Sequence, residues 1–272
     1  MNTLSRTWQL FKQSFAVLSQ EPSLVVFPIL SAASALFLMA GFLVPLYRLG
    51  SLQAIVHRTA GWDDYLPVFS WYYANTFVVI FFNSALAGCV NMRLCGADPT
   101  LGDGLSIAAR RLPRIAAWTL MSATFGLVLR AIENHERAGR FVTAIFGAGW
   151  TMITYLMVPV LIIEDRPVIE SFRRSIELLR KSWGEQIAGG FGFGLLGSLL
   201  VIPGFLLGLV LLPVSVILGI TVIVTCVLML AAIFGAIRGI FTVALYRYAT
   251  DGRAPLGFSG DALGSPRPYS GY

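Results

Sequence analysis

"QIAGGFGFGLLGSLLVIPGFLLGLVLLPVSVILGITVIVTCVLMLAAIFGAI", residues 186–237, contains no charged side chain between Glu185 and Arg238. A single helix needs only about 20 residues to cross a hydrocarbon layer of roughly 30 Å. The run therefore predicts two membrane-spanning helices, divided near Pro203-Gly204 or near Pro213. Because a bilayer offers no partner to free backbone groups, spanning segments must be helices or closed barrels.

The rest of the sequence agrees with a membrane protein, since 56% of the residues are hydrophobic and only 12% are charged. Globular domains average about 25% charged residues. Further uncharged windows lie at 22–47, 65–92, 115–129 and 141–163. Together they predict an all-α polytopic membrane helical bundle of six transmembrane helices, forming one integral membrane domain at residues 1–250.

The distribution of basic residues predicts the orientation of this bundle. With six spans and a cytoplasmic N-terminus, fifteen of the twenty lysine and arginine residues fall on the cytoplasmic side. Such a bias is typical of the cytoplasmic face of inner-membrane proteins. We expect a multi-pass protein of the cell inner membrane with both termini cytoplasmic.

A weak internal repeat organises the sequence. "LFKQSFAVLSQ" at 10–20 aligns without gaps on "SFRRSIELLRK" at 171–181, and "GLSIAARRLPR" at 104–114 fits more loosely. This pattern predicts three pseudo-repeats, 1–97, 98–165 and 166–250, each an amphipathic helix followed by a helical hairpin. The repeat is compatible with a lipid-accessible groove, or with duplication that only built a stable bundle.

The amphipathic helices predict contact with the cytoplasmic membrane surface. At 100° per residue, one apolar stripe contains Phe172, Ile176, Leu179 and Trp183, and a matching one contains Leu4, Trp8, Phe11, Phe15 and Leu18. Basic residues occupy the other side, as in helices that lie in the interface. The candidate lipid head-group ligands are Arg110, Arg111, Arg114, Arg173, Arg174, Arg180 and Lys181.

Arg238 is the most informative single residue, because eight uncharged residues, Gly239 to Tyr246, follow it before Arg247. If its helix continues, Arg238 lies about 13 Å inward of Arg247 and needs polar partners. Asn83 is the predicted partner in an internal polar site, with Thr154 and Tyr155 at a similar level. Alternatively, the sixth span ends at Ile237 and residues 239–249 follow the interface.

Other motifs carry little chemistry. Gly192, Gly194 and Gly197 form a GxGxxG sequence, but no predicted strand precedes it, as a dinucleotide-binding motif would require. We interpret these glycines as positions of close helix packing, together with the pairs 190/194, 204/208 and 235/239. His57 and His135 lack partners at metal-ligand spacing. We expect no catalytic, cofactor-binding or metal site and no nucleic acid partner, and a disordered cytoplasmic tail at 251–272.

The segments "WQLFKQSFAVL", "GADPTLGDGLSIAARRL" and "SFRRSIELLRKSWGEQIAG" resemble an uncharacterised family of prokaryotic multi-span membrane proteins, over nearly all of residues 1–250. More loosely, the chain is similar to the membrane domain of some glycerophosphodiester phosphodiesterases. It lacks the acidic and histidine cluster of that enzyme, so the resemblance implies a membrane location and no catalytic residue.

These observations predict a non-enzymatic integral membrane protein that binds or moves a lipid or other amphiphile, with membrane phospholipids as partners. The alternative is a membrane scaffold that recruits or stabilises a partner protein or a second copy. In that case the glycine faces of spans five and six are its candidate docking surfaces.

Overall fold

A computed structural model describes residues 3–48, 62–133, 137–182, 202–203, 205–211, 213 and 215–263. Every regular element among these residues is helical. Five helical stretches are long and apolar enough to cross a membrane, and they are Pro22–Phe42, Leu66–Leu94, Leu112–Leu129, Thr143–Ile163 and Val216–Asp251. The chain is therefore an all-helical membrane protein. Most of the fifth predicted span lies outside the described residues, apart from helical residues at 202–203 and 205–211.

We number the helices in chain order. They are α1 (Thr3–Gln20), α2 (Val26–Arg48), α3 (Trp62–Leu94), α4 (Leu101–Arg110), α5 (Leu112–Glu133), α6 (Arg137–Ile153), α7 (Met157–Ile163), α8 (Val168–Ser182), α9 (Val216–Asp251) and α10 (Gly260–Leu263). A 3₁₀ turn at Pro22–Val25 leads into α2. The helix α3 is central and packs against α2, α4, α5, α7 and α9.

The fourth predicted span is interrupted, because α6 ends at Ile153 and α7 begins at Met157. Pro159 explains the break. It has no amide hydrogen for the carbonyl of Tyr155, four residues earlier, and its ring would clash with that carbonyl in a continuous helix. Turn hydrogen bonds between residues three apart replace helical ones at the break, including Met157 N to Thr154 O at 3.0 Å.

The helix α9 continues through the residues on which the two expectations for the sixth span differ. It begins after Pro213, where the Ser215 side chain accepts a hydrogen bond from Leu218 N, so the long apolar run divides at the second predicted point. It then continues to Asp251 and ends at Gly252, whose φ of 68° suits glycine. Residues 239–249 therefore continue the helix past Arg238 and do not turn away from it at Ile237.

The packed core lies at one end of the bundle, where α3 and α9 terminate. We call it the basic end because Arg93, Arg111 and Arg247 lie there. In α9, the residues near this end are buried, among them Ile240, Phe241 and Leu245, whereas large apolar residues between 216 and 229 are exposed. Exposed apolar side chains over one half of a spanning helix are expected where lipid replaces protein contacts.

The helices α1, α4 and α8 pack into the bundle through faces that coincide only in part with the predicted apolar stripes, of which Leu18 and Leu179 are buried. On α1 this face carries Leu10, Ser14 and Val17, whereas Trp8 and Phe15 of the predicted stripe are about half exposed. On α8 it carries Ser171 and Ser175. Small side chains allow two helices to approach closely, and hydrophobicity alone does not reveal such a contact.

Glycines at helix contacts confirm the packing interpretation wherever they are described. A Cβ at Gly239 would lie 2.5 Å from Leu86 Cδ2, and one at Gly208 would lie 2.1 Å from Ile223 Cγ1. Gly235 faces Pro28 at 3.5 Å. These contacts join α9 to α3, to α2 and to the helical residues 205–211. Gly190, Gly192, Gly194, Gly197 and Gly204 lie outside the described residues.

The prediction of a disordered tail from residue 251 onward is wrong for residues 252–263. Phe258 and Leu263 are buried, and α10 packs against α1. Gln13 of α1 hydrogen bonds Ser259 with 2.8 Å between Nε2 and Oγ. A few apolar residues spaced along a Gly- and Pro-rich segment thus anchor it to a surface that the sequence pattern did not show. Residues 264–272 lie outside the described part.

Candidate functional site

The predicted head-group ligands fall into two sets. Arg111, Arg114 and Arg174 form ion pairs within the protein. Arg110, Arg173 and Arg180 are exposed. The side chain of Lys181 lies outside the described part of the chain. The exposed set is therefore available to a phosphate group. The paired set is held by carboxylates that the sequence pattern did not identify as partners.

Those carboxylates belong to the loop between α7 and α8, residues 164–167. Arg111 Nη1 lies 2.6 Å from Asp165 Oδ1, and Arg114 pairs with the same oxygen. Asp165 has a φ of 56°, in the left-handed region that Asp tolerates better than most residues. The signal that could have identified this loop is an acidic pair placed between a fully apolar stretch and a basic helix.

Glu164 connects three further groups. Its side chain is only 12% exposed, and it lies 2.6 Å from Arg166 Nε and 3.3 Å from Arg174 Nε. The Tyr246 hydroxyl donates to Glu164 Oε1 at 3.2 Å. Hydrogen bonds to Glu177 and then Glu164 raise the pKa of the Arg174 guanidinium. A carboxylate this buried is stable only when paired, so Glu164 ties α8 and α9 together.

Arg238 lies on α9 and reaches α6–α7 at their break. Its guanidinium carbon is 5.9 Å from the centroid of the Tyr155 ring, within the range of a cation–π contact. The Tyr155 hydroxyl is buried beside Thr242 and Arg238, but none of the described residues forms a hydrogen bond of ordinary geometry with it. The Arg238 side chain itself is exposed. A guanidinium and a hydroxyl therefore converge at one point on the apolar bundle.

The structure does not bring Asn83 to this point. Asn83 is exposed on α3, and it forms no hydrogen bond with Arg238. The contact between α3 and α9 at this level is made by Leu86 against Gly239 instead. Tyr155, placed at a similar level by helical rise alone, is the neighbour of Arg238. The internal polar site as predicted, with Asn83 as its second member, stays a prediction.

A cleft of about 560 Å³ also opens at the basic end, lined by Leu94, Cys95, Arg247, Asp251, Arg253, Ala254 and Pro255. Arg247 is held there by Asn91 Oδ1 at 2.8 Å and Asp251 Oδ2 at 3.3 Å. Each helix C-terminus carries about half a negative charge, and both α3 and α9 end at this cleft. We therefore assign its arginines to balancing those charges rather than to a ligand.

The remaining residues considered from the sequence are histidines, cysteines and one tryptophan. His57, His135 and Trp183 lie outside the described residues. Within the described residues, no group of three or more His, Cys, Asp or Glu side chains is arranged to hold a metal ion. The described cysteines are Cys89, which is buried, Cys95, which is exposed, and Cys226, and none is in a disulfide.

The fold and this arrangement define a class: a polytopic helical membrane protein with a cluster of ion pairs at one end of the bundle and a single guanidinium farther along α9. Residues 63–257 match a family model described as "Family of unknown function (DUF6159)", and the chain belongs to this family. The match begins at residue 63, so α1 and α2 precede it, whereas the resemblance was expected from residue 1. Neither a curated protein nor a solved structure matches the chain.

Proposed function

We propose that this protein binds an anionic amphiphile, such as a phospholipid, and holds or moves it without catalysing a reaction. The observation that carries the proposal is the position of Arg238. It is the sole charged residue between Glu185 and Arg247, and its helix continues straight past it. A guanidinium near a bilayer centre costs about 2.5–3.5 kcal/mol, and an anionic partner lowers that cost.

Tyr155 and Thr242 place hydroxyl groups beside the Arg238 guanidinium. The Tyr155 ring supports the guanidinium at 5.9 Å, and its hydroxyl offers a donor beside it. The Thr242 hydroxyl donates to Arg238 O at 2.8 Å within the helix, so its oxygen remains an acceptor. A phosphate diester, which has two acceptor oxygens, fits a guanidinium and a phenol better than it fits a single cation.

The exposed arginines extend this proposal to the membrane surface. Arg110, Arg173 and Arg180 lie on α4 and α8, and we propose that they contact lipid head groups at the cytoplasmic interface. Arg111, Arg114 and Arg174 act mainly within the ion pairs of Asp165 and Glu164. The inner membrane, the cytoplasmic termini and the fifth of six spans, within residues 186–214, belong to the same proposal.

The pattern of burial supports the proposed threefold repeat. Counted in the register of the sequence alignment, Leu10, Gly104 and Ser171 are equivalent, and all three are buried. Four residues later Ser14, Ala108 and Ser175 are equivalent, and they are buried as well. Each amphipathic helix thus presents the same two positions to the bundle. The looser similarity to the membrane domain of phosphodiesterases stays a prediction.

The test is native mass spectrometry of the protein extracted gently from its own membrane. We expect a stoichiometric lipid on the wild-type chain. Hydrogen bonds to charged groups contribute about 1.5–3 kcal/mol, so Arg238→Gln should retain that lipid roughly ten- to a hundredfold more weakly. Tyr155→Phe should weaken retention by a smaller factor. The matched control is Arg48→Gln, an exposed arginine at the far end of α2.

Three results would overturn this function in different ways. Equal lipid retention in Arg238→Gln and Arg48→Gln would exclude the Arg238 site. A bare chain in every preparation would exclude stable lipid binding. A retained second protein would favour the scaffold alternative, although Gly208, Gly235 and Gly239 are already occupied by contacts within the chain.

A further inference from the structure

The outer surface of α1 is divided lengthwise into an aromatic edge and a polar edge. Trp8, Phe11 and Phe15 form the aromatic edge as a continuous stack, with ring centroids 5.5 Å and 6.3 Å apart. Trp8 is 47% exposed and Phe15 is 49% exposed. About 100° around the helix, Gln9 and Ala16 lie on the polar edge, and both are exposed.

The aromatic edge adjoins a spanning helix. The Phe11 ring stacks on Phe234 of α9, with 5.7 Å between centroids. Phe234 lies within the stretch of α9 that is apolar enough to cross a membrane. The exposed rings of α1 are thus continuous with the apolar surface that the spans present to lipid.

The opposite face of α1 is already used, since Leu10, Ser14 and Val17 are buried in the bundle. The helix therefore cannot turn its aromatic edge inward without exposing that face. Lys12 lies between the two edges, with its Nζ 5.5 Å from the centroid of the Trp8 ring. Lysine beside tryptophan is the combination found where one side of a helix meets acyl chains and the other meets phosphates.

We propose that the aromatic edge of α1 is embedded in the bilayer, with Trp8 and Phe15 at the boundary between acyl chains and head groups and Lys12 at the phosphates. The partner is the lipid surface itself. The argument for lipid over a protein partner is the continuity of this edge with Phe234. The inference is independent of the Arg238 site, because it uses none of the same residues.

The test places spin labels on single cysteines at residues 8, 15, 9 and 16 of the full chain in phosphatidylcholine vesicles containing phosphatidylglycerol. Cys95 and Cys226 are first replaced by alanine, while Cys89 is 1% exposed and is kept. Collision rates are measured with oxygen, which concentrates in lipid, and with a water-soluble nickel chelate. We expect oxygen to dominate at 8 and 15 and the chelate to dominate at 9 and 16.

The expected result is that the more frequent collision partner changes from oxygen to the nickel chelate between neighbouring positions, 8 to 9 and 15 to 16. Chelate access at all four positions would overturn the proposal, because the aromatic edge would then face water. Low access of both reagents at 8 and 15 would also overturn it, and would show that a protein covers the edge. Unchanged circular dichroism and monodispersity in each labelled variant exclude misfolding as the cause.

Discussion

Arg111 Nη1 lies 2.6 Å from Asp165 Oδ1, and this pair joins the second amphipathic helix to the loop that starts the third. The two residues are 54 positions apart in the sequence. Between them lie the hairpin of α5 and α6–α7, so the ion pair closes that hairpin at the basic end.

The loop at Asp165 should show separate effects of charge and of backbone conformation. Asp165→Asn removes the ion pairs with Arg111 and Arg114, which are partly exposed, and should lower the free energy of unfolding by about 0.5–1 kcal/mol. Asp165→Ala should cost about 1–2 kcal/mol more, because alanine is disfavoured at the φ of 56°. Thermal unfolding in detergent would measure both changes.

The control for this loop is Asp165→Gly, which has no charge but adopts a positive φ without a Cβ penalty. It should be more stable than Asp165→Ala. Equal melting temperatures for the glycine and alanine variants would contradict a backbone contribution at this position.

Gly104 should tolerate no larger residue. A Cβ there would lie 2.6 Å from Cys89 Sγ and 2.8 Å from Ala85 O, and the second of these is backbone that cannot rotate away. Gly104→Ala should therefore push α4 away from α3 and destabilise the protein by about 1–3 kcal/mol. Chemical denaturation followed by tryptophan fluorescence would detect the loss.

Gly102, two residues earlier in α4, serves as the matched control. Its closest contact to a built Cβ is Thr100 Oγ1 at 3.6 Å, an ordinary van der Waals distance. Gly102→Ala should be neutral or should stabilise the helix by up to about 1 kcal/mol. A Gly104→Ala variant as stable as Gly102→Ala would disprove the close contact between α3 and α4.

Ser14 and Ser175 occupy equivalent positions but should respond oppositely to alanine. The Ser175 hydroxyl donates to Ile153 O at 2.8 Å, so Ser175→Ala should cost about 1 kcal/mol. The buried Ser14 hydroxyl has no hydrogen-bond partner among the described residues, so Ser14→Ala should be neutral or stabilising. Paired melting curves would show the difference, and equal losses would mean that Ser14 has a partner after all.

The capping box at the start of α4 should make stability depend on acid pH. Hydrogen bonds from Thr100, first from its side chain and then from its backbone, lower the pKa of Asp103 below its ordinary 3.8. The unfolded chain then binds this proton more readily than the folded one. The stabilisation is complete above pH 3.8 and disappears as pH falls through the lower, folded-state pKa.

Asp103→Ala should remove this dependence, so the difference in unfolding free energy between wild type and variant should shrink as the pH falls below 3.8. Denaturant titrations at a series of acid pH values would test it. A difference that stays constant across that range would show that the Asp103 carboxylate contributes nothing through its charge.

Several features of the fold could be predicted from local sequence alone. The charge-free run required at least two helices, and the windows at 65–92 and 115–129 fall within α3 and α5. The break at Pro159 and the division at Pro213 follow from the missing amide hydrogen of proline. By contrast, the anchored segment at 252–263 depends on contacts with α1 that no local pattern reveals.

For the candidate site, the sequence identified Arg238 because one charge in an apolar helix stands out by itself. It could not identify Tyr155 over Asn83 as the neighbour, because helical rise gives the depth of a residue but not the direction in which its helix faces. Likewise, the basic residues at 110–114 and those of α8 looked equivalent in the sequence. Only three-dimensional proximity to Glu164 and Asp165 separates the paired arginines from the exposed ones.

The sequence by itself determined that this chain is a helical membrane protein, because backbone satisfaction in lipid leaves few options for long charge-free segments. The tertiary structure alone decided which faces of the amphipathic helices are buried. Between helices in a membrane, close approach of small residues matters more than hydrophobicity, and Ser14, Gly104 and Ser175 carry no hydrophobic signal. Their role became visible only once the neighbouring helices were in place.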